Sequence, residues 1–327
     1  MLDYDALLAR TDAPAGSSWG LFGADDELGT LNFLTPACVL AASGCIRRGE
    51  VFNLDLPLDA FRFPLFRHRR NLRHHLLSNA PHHRDDRIDR LFLQTASQID
   101  GLRHMRHPHH AFYNGVMPER IVEGDPTLGI QRFAEHGIVG RGVLLDLPRF
   151  LKRRARPPID HMAGEAFDTE LLDEVASDQN VRWQHGDILL VRTGWLEHYF
   201  VERSEDDRRD LPSRMRASGL AQAHHSLRWL WNHRFALVAF DNPGVEALPA
   251  VTDTPFIVRD PDGSTPANGL MHPFLIGLMG FALGELWDLE RLAEDCERDR
   301  VYECMVVAKP LNLPGGVGSP CNATAVK

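Results

Sequence analysis

The sequence lacks the features that identify disulfide-rich, membrane-spanning and nucleic-acid-binding proteins. Its 327 residues include five cysteines, an odd number without a CxxC pair, so we expect neither a disulfide framework nor a zinc knuckle. No apolar run reaches the length of a membrane span. The N-terminal residues carry acids and no apolar stretch, so we expect no signal peptide and a cytoplasmic protein. The net charge of -9 does not favour nucleic acid as a partner.

Several common catalytic motifs are also missing. The sequence predicts neither a GxSxG elbow between a strand and a helix, nor a P-loop, nor a GxGxxG motif after a strand. The glycine-rich GGVG at 315–318 lacks a following helix. The cysteines lack the local histidine signature of a nucleophile. What remains is an ordinary globular composition, 43% hydrophobic and 25% charged, in a chain long enough to bury a large core.

The pattern of apolar residues predicts strands and helices in alternation. Helices are predicted at 36–49, 214–233 and 287–298, and strands at 51–56, 142–147, 187–195, 235–241 and 301–311. Pro266–Asn268 is predicted to be a loop. This mixture favours a single α/β (α+β) domain over residues 1–327, with an N-terminal extension over about 1–35.

Residues 61–90 are dense in arginine and histidine. We interpret them as a polar loop that is either solvated or packed on another subunit, in preference to a direct catalytic role. A nucleic-acid patch is disfavoured because the run is short and its arginines lie among acids.

The segment Leu91–His104 offers the first candidate ligands. In a strand, Gln94, Ala96, Gln98 and Asp100 share one face, and Gly101 lets the chain turn so that His104 returns over Asp100. Carboxylate, amide and imidazole groups all bind divalent metals. An edge strand with a polar, solvent-facing side is the alternative interpretation.

The segment Asn268–Leu289 offers the second set. His272 begins an apolar helix that Gly280 is predicted to end, and a short strand then leads to Glu285. On one continuous helix these two side chains lie on nearly opposite faces, so they converge only if the helix stops near Gly280. A capping histidine with a surface glutamate remains the alternative.

Several segments along most of the chain are landmarks of one family. They are WGLFGADDELGTLN (19–32), QTASQIDGLRH (94–104), FYNG (112–115), GRGVLLDL (140–147), HGDILLVRTGW (185–195), DNPGVE (241–246), LMHPFLIGLMGFALGELWDL (270–289) and PLNLPGGVGSPCNA (310–323). With these segments the chain resembles the putative cyclase family, which includes kynurenine formamidases and isatin hydrolases.

The family motif HxGTHxDxxxH maps onto this chain with two departures. Its three histidines fall on Gln94, Gln98 and His104, and its aspartate falls on Asp100; its Gly and Thr fall on Ala96 and Ser97. The family's later His and Glu ligands correspond to His272 and Glu285. Members with the full motif bind zinc or manganese, some with two metals. The resemblance implies one divalent ion here, Mn or Zn, held by Asp100, His272 and Glu285 with Gln98 nearby.

The resemblance also implies a fold and an activity. The expected fold is a single swivelling β/β/α-type domain with a mixed sheet and flanking helices, associating as a homodimer or homotetramer. The expected activity is metal-dependent hydrolysis of an amide, lactam or related cyclic acyl bond in a small molecule. His104, with Asp100, is the expected catalytic group, because histidine titrates near neutral pH and serves as both base and acid.

Further residues are candidates for a substrate pocket, each with core packing, loop capping or surface charge as the alternative role: Gln94, Trp19, Phe22, Tyr113, Asp241 and Glu246. Two other functions remain open from the sequence. One is a biosynthetic cyclase or dehydratase, a lyase that uses the same site. The other is a metal-free binding protein, which the two glutamine replacements suggest.

Overall fold

Buried apolar runs form the centre of a mixed sheet in the computed structural model, which describes residues 1–257 and 269–327. The strands are β1 (Val51–Asn53), β2 (Arg73–Ala80), β3 (His83–Asp89), β4 (Gln98–Asp100), β5 (Ile138–Asp146), β6 (Ala166–Phe167), β7 (Ile188–Arg192), β8 (Gly219–Leu220), β9 (Leu237–Phe240), β10 (Ala282–Glu285), β11 (Glu303–Ala308), β12 (Gly318–Pro320) and β13 (Ala323–Val326). The large sheet has nine of them, in the order β1-β13-β11-β5-β7-β9-β10-β4-β12.

The four central strands, β5, β7, β9 and β10, run parallel, and the outer strands pair antiparallel. The central strands are buried along nearly their whole length. Their continuous apolar sequence is typical of strands that are covered on both faces. The predicted single α/β domain with a mixed sheet and flanking helices is confirmed.

Short helices flank this sheet. They are α1 (Tyr4–Leu8), α2 (Pro36–Ser43), α3 (Gln131–His136), α4 (Leu147–Arg153), α5 (Thr169–Asp178), α6 (Trp195–Glu197), α7 (Glu205–Asp210), α8 (His224–Asn232) and α9 (Glu290–Asp299). Thr35 caps α2, and Pro36 lies in its first turn. This helix ends at Ser43 with Gly44 as its C-cap, earlier than predicted, and the backbone N–H groups of Arg48 and Glu50 bond to Lys327 instead.

Two further predictions of secondary structure differ from the fold. The helix predicted over 214–233 forms only as α8, because Leu220 and Ala221 bond to the backbone of Val245 and Phe167. The strand predicted through 91–100 is limited to β4, since the preceding residues turn and Ser97 bonds through its hydroxyl to Leu56 and Leu286. The loop predicted at Pro266–Asn268 lies outside the described residues.

The segment 61–90 has two parts. Residues 73–89 form an exposed antiparallel hairpin of β2 and β3 where the sequence predicted a loop. The residues before it are anchored, because Phe61 and Leu65 pack in a small apolar cluster with Trp195, Tyr199 and Leu286. The cluster fixes the start of this segment next to the end of β10.

Across residues 1–257 and 269–327, none of the helices combines the length and the hydropathy that crossing a bilayer requires.

Substitution of Trp287 tests how β4 is held in the fold. Its indole N–H donates to the carbonyl of Gln98 at 2.9 Å, and both residues are buried. Trp287→Phe leaves this carbonyl without its donor, which costs about 1–3 kcal/mol. Guanidinium unfolding should show the lower free energy of unfolding.

The matched control is Trp229→Phe, which removes the same ring volume. The Trp229 indole donates to the exposed residue Asp173, where water replaces the lost bond. An equal loss of stability in both variants would contradict the role given to the Trp287 hydrogen bond.

Candidate active site and metal centre

The pairing of β4 with β10 brings the first polar side chains together. Gln98 lies directly opposite Glu285, and Asp100 lies opposite Leu283. Side chains alternate along a strand, so Gln98, Asp100 and Glu285 share one face of the sheet. The amide nitrogen of Gln98 donates to Glu285 Oε2. The predicted shared face of Gln98 and Asp100 is therefore present, although the strand is shorter than predicted.

His272 reaches this face from a separate element. It immediately precedes a single π-helical turn, Pro273–Leu278, and the chain then reverses at Gly280 with φ 73°. A Cβ at Gly280 would lie 2.4 Å from the Tyr113 ring, so the reversal requires glycine. The predicted helix end near Gly280 is correct, and it lets β10 carry Glu285 back beside His272.

Asp100, His272 and Glu285 form a possible metal-binding triad. Their ligand atoms lie within 4.8 Å of one another, and all three residues are buried. His272 Nε2 lies 3.1 Å from Glu285 Oε1. Carboxylate oxygens and an imidazole nitrogen suit zinc or manganese.

Glu246 lies behind His272. It is completely buried and accepts hydrogen bonds from the backbone N–H groups of Met271 and His272, at 2.6 and 3.0 Å. Its Oε1 also lies 2.5 Å from His272 Nδ1. A carboxylate in this position fixes the ring so that Nε2 faces the triad, which is the common arrangement behind metal-binding histidines. The structure thus gives Glu246 a positioning role, where the sequence suggested a pocket residue.

The residues present fit a divalent cation. Asp100 Oδ2 and Gln98 Oε1 are buried and have no hydrogen-bond partner among the described residues. Burial raises the pKa of Asp100, an effect that His104 partly offsets. Burial alone would lower the pKa of His272, but the hydrogen bonds to Glu246 and Glu285 outweigh it and hold that pKa well above its ordinary value. A group of buried carboxylates and unpaired oxygens attracts positive charge.

Gln94 connects Asp100 to His104. Its amide nitrogen donates to Asp100 Oδ1 and lies 3.0 Å from His104 Nδ1. His104 Nε2 lies 3.8 Å from Asp100 Oδ2, and the His104 side chain is 24% exposed. With the amide in this orientation Nδ1 accepts a hydrogen bond, so a neutral His104 carries its proton on Nε2. His104 is thus the solvent-accessible imidazole at the edge of the triad.

Arg69 is a site residue that the sequence did not single out. Its guanidinium packs over the Phe66 ring, 4.6 Å from the centroid, and donates to the backbone carbonyl of Gln94. Burial lowers its pKa, while the nearby carboxylates of Glu285 and Asp100 oppose that effect. Part of the arginine-rich segment therefore lies beside the site. Arginine content alone did not distinguish Arg69 from its exposed neighbours.

The carboxylate of Asp241 makes its hydrogen bonds outside the triad. Its carboxylate accepts from the backbone and hydroxyl of Thr193 and from the backbone of Gly194, at 2.7–2.9 Å. Burial raises the pKa of Asp241 to about 6, although the Thr193 hydrogen bonds oppose the shift. It also lines a cavity of about 320 Å³ with Arg192 and Asp288. Asp241 thus ties the ends of β7 and β9 together.

The three aromatic residues predicted for the pocket either belong to the N-terminal residues 1–35 or contact them. Tyr113 is buried and donates to Asp26 at 2.9 Å, and Phe22 packs edge-on against Phe33. Trp19 is half-buried and donates to the carbonyl of Gly277 at 2.9 Å, within the turn that follows His272. Trp19 thus bonds to the π-helical turn and Tyr113 lies against Gly280 just after it, whereas Phe22 packs on Phe33.

One segment matches a catalytic motif by its letters only, and its serine is buried. Residues 16–20 read Gly-Ser-Ser-Trp-Gly, which matches the letters GxSxG. Ser18 is completely buried, and its hydroxyl donates to the carbonyl of Met279 at 2.9 Å. It precedes no helix of the nucleophile-elbow type, so this serine is structural.

The chain is similar to known proteins in sequence and in fold. The family model described as Putative cyclase matches residues 52–247. A search among curated proteins gave no match.

Among solved structures, a protein described as a novel cyclase is 30% identical, with a TM-score of 0.80 over 95% of this chain and 99% of its own. Isatin hydrolase A from Labrenzia aggregata, bound to benzyl benzoate, is 17% identical, with a TM-score of 0.56 over 87% of this chain and 94% of its own. Isatin hydrolase A from Ralstonia solanacearum is also 17% identical, with a TM-score of 0.54 over 90% and 98%. At 17% identity the two hydrolases show a common fold.

Glu246→Gln tests the positioning role of this carboxylate. Gln keeps an acceptor for one of the two backbone donors but removes the charge that holds the Nδ1 proton of His272. Loss of such a partner typically weakens metal binding about 10–100-fold. Titration calorimetry with Zn²⁺ or Mn²⁺ measures the change.

The control is Asp187→Asn, which removes a buried carboxylate paired with Arg141 away from the triad. Wild-type metal affinity in Glu246→Gln, or an equal loss in the control, would refute a specific role for Glu246.

Proposed function

The chain belongs to the putative cyclase family, and from this premise we propose that it is a metal-dependent hydrolase of an amide, lactam or related cyclic acyl bond in a small molecule. The observation that carries the proposal is the buried triad of Asp100, His272 and Glu285, whose ligand atoms lie within 4.8 Å of one another, with the partly exposed imidazole of His104 at its edge. The names of the isatin hydrolases, which share this fold, agree with hydrolysis of a cyclic amide.

Asp100 Oδ2, His272 Nε2 and the Glu285 carboxylate would hold one ion, Mn or Zn, with the unpaired oxygen of Gln98 beside them. When bound, the ion supplies Lewis acidity toward a carbonyl oxygen and lowers the pKa of adjacent water. Glu246 holds His272 in the ligand orientation. Burial keeps bulk water from the carboxylates of Asp100 and Glu285 and strengthens their attraction for a cation.

His104 moves the proton. Its Nε2 is the ring nitrogen that faces Asp100, and Gln94 contacts the other nitrogen. When the Gln94 oxygen accepts the Nδ1 proton, Nε2 has a free lone pair and is a base for the attacking water. The imidazolium that forms then gives the same proton from Nε2 to the leaving nitrogen. The ring keeps its Nδ1 proton throughout and ends neutral, so one imidazole serves both proton transfers of the hydrolysis.

A panel of lactams, formamides and cyclic imides tests the reaction. The protein loaded with Mn²⁺ or Zn²⁺ should convert at least one class to the ring-opened or deformylated product. A chelator should abolish turnover and the metal should restore it. A dehydrated or newly cyclised product would identify a lyase instead. Ligand binding without bound metal or turnover would identify a metal-free binding protein.

His104→Asn separates proton transfer from metal binding. The variant keeps a polar side chain but removes the base, so turnover should fall about a hundred- to ten-thousand-fold. Metal content by elemental analysis should stay near that of the wild type. Asp100→Asn should lose metal and activity together.

His109→Asn is the matched control because His109 is exposed and lies near His104 in the chain; it should keep both turnover and metal. If His104→Asn released as much metal as Asp100→Asn, His104 would be a ligand. If it changed neither quantity, its role in proton transfer would be wrong.

A further inference from the structure

A second pair of histidines lies outside the triad, against a cavity of about 780 Å³. The cavity lies between α4, the loop at 156–162 and the turn that leads into α6. Pro148, Leu151 and Ile159 supply apolar walls, and His161 and His198 supply imidazoles. None of these residues belongs to the mechanism described above.

The contacts of His198 define its tautomer. Its Nδ1 lies 2.6 Å from Glu202 Oε2, so Nδ1 carries a proton that the carboxylate accepts. Its Nε2 is buried and has no hydrogen-bond partner among residues 1–257 and 269–327. The side chain is only 9% exposed. A neutral His198 therefore keeps an unused lone pair on Nε2, with a carboxylate behind the ring.

The two ring nitrogens of His161 have the same roles as those of His198. Ser218 Oγ lies 3.1 Å from His161 Nδ1 and donates its own proton to the carbonyl of Asp160 at 3.3 Å. With the hydroxyl proton on Asp160, Nδ1 of His161 is the donor to Ser218 and Nε2 keeps the lone pair. Burial, and then the neighbouring His198, lower the pKa of His161 to about 4, and the ring is neutral at pH 7.

The separation of the rings suits a shared ion. Their centroids lie 5.1 Å apart, with an interplanar angle of 34°. Two imidazoles bound to one tetrahedral ion at about 2.0–2.1 Å have ring centres roughly 5 Å apart. The Cβ position of Gly194, which also lines the cavity, is 3.5 Å from His161 Nε2. That nitrogen therefore lies beside the cavity wall.

The backbone at His198 is unusual. Residues His198–Glu202 form a π-helical turn, closed by the N–H of Arg203 on the carbonyl of His198 at 3.0 Å. Such turns are rare and frequently occur at functional sites. Here the turn places Glu202 against the His198 ring.

We propose that His161 and His198 form a second metal site, in which their Nε2 atoms bind a divalent ion of the zinc–copper type. Imidazole ligands favour Zn²⁺, Ni²⁺ and Cu²⁺ over Mg²⁺ or Ca²⁺. Ser218 and Glu202 orient the two rings, as outer partners do at histidine metal sites. The remaining coordination positions open into the cavity, where water or a small donor ligand completes them. The site is independent of the proposed hydrolase function.

The test uses Cu²⁺ and electron paramagnetic resonance in an Asp100→Asn background, which removes a ligand of the triad. This protein should bind one Cu²⁺ per chain with coupling to two imidazole nitrogens. His161→Gln and His198→Gln should each abolish the two-nitrogen spectrum and weaken binding at least about 100-fold, and Glu202→Gln should weaken it about 10–100-fold.

His110→Gln is the matched control. His107 and His110 form another close pair, with ring centroids 4.7 Å apart. However, His107 Nδ1 accepts a hydrogen bond from the backbone N–H of His109. A neutral His107 therefore carries its proton on Nε2 and has no lone pair there for a metal. This control should bind Cu²⁺ like its parent. Circular dichroism checks folding, and His161→Gln decides the question if His198→Gln does not fold. Unchanged spectra in a folded His161→Gln, or an equal loss in His110→Gln, would overturn the proposal.

Discussion

Three buried carboxylates, those of Asp100, Glu246 and Glu285, surround one imidazole, and the rest of the site follows from their need for partners. Burial of an uncompensated carboxylate is costly, so the surrounding chain must supply donors or cations. Glu246 takes two backbone N–H groups and the His272 ring, which fixes the start of the π-helical turn. Gln98 and Gln94 direct amide nitrogens at Glu285 and Asp100. Asp100 Oδ2 remains unpaired among the described residues, and this is where a cation fits.

The sequence predicted the parts of this arrangement that local chemistry determines. The buried parallel strands show as apolar runs, and glycine at 280 marks the reversal that lets His272 and Glu285 meet. Alternation along β4 placed Gln98 and Asp100 on one face. Each of these features depends on neighbours within a few residues, so a period or a turn residue reveals it.

Other features depend on partners far along the chain, and no local pattern encodes them. The place of Glu246 in the site depends on its contact with His272, 26 residues later. The place of Arg69 depends on its hydrogen bond to the carbonyl of Gln94. His161 and His198 meet only because α4 and α6 follow neighbouring strands, β5 and β7. The helix predicted at 214–233 was shortened for the same reason, since backbone bonds to Phe167 and Val245 outweigh helix propensity there.

The two glutamines also bear on how many ions the triad holds. A histidine at position 94 or 98 would offer a lone pair to a metal, whereas each amide nitrogen here donates a hydrogen bond to a carboxylate. Such donors offset part of the negative charge that a second cation would otherwise neutralise. One divalent ion, together with the partly buried cation of Arg69, balances the three carboxylates when His272 is neutral. A second divalent ion would leave an excess of positive charge in a buried site and would lack the two imidazoles that Gln94 and Gln98 replace. Charge and ligand type therefore both support the proposal of a single ion in this triad.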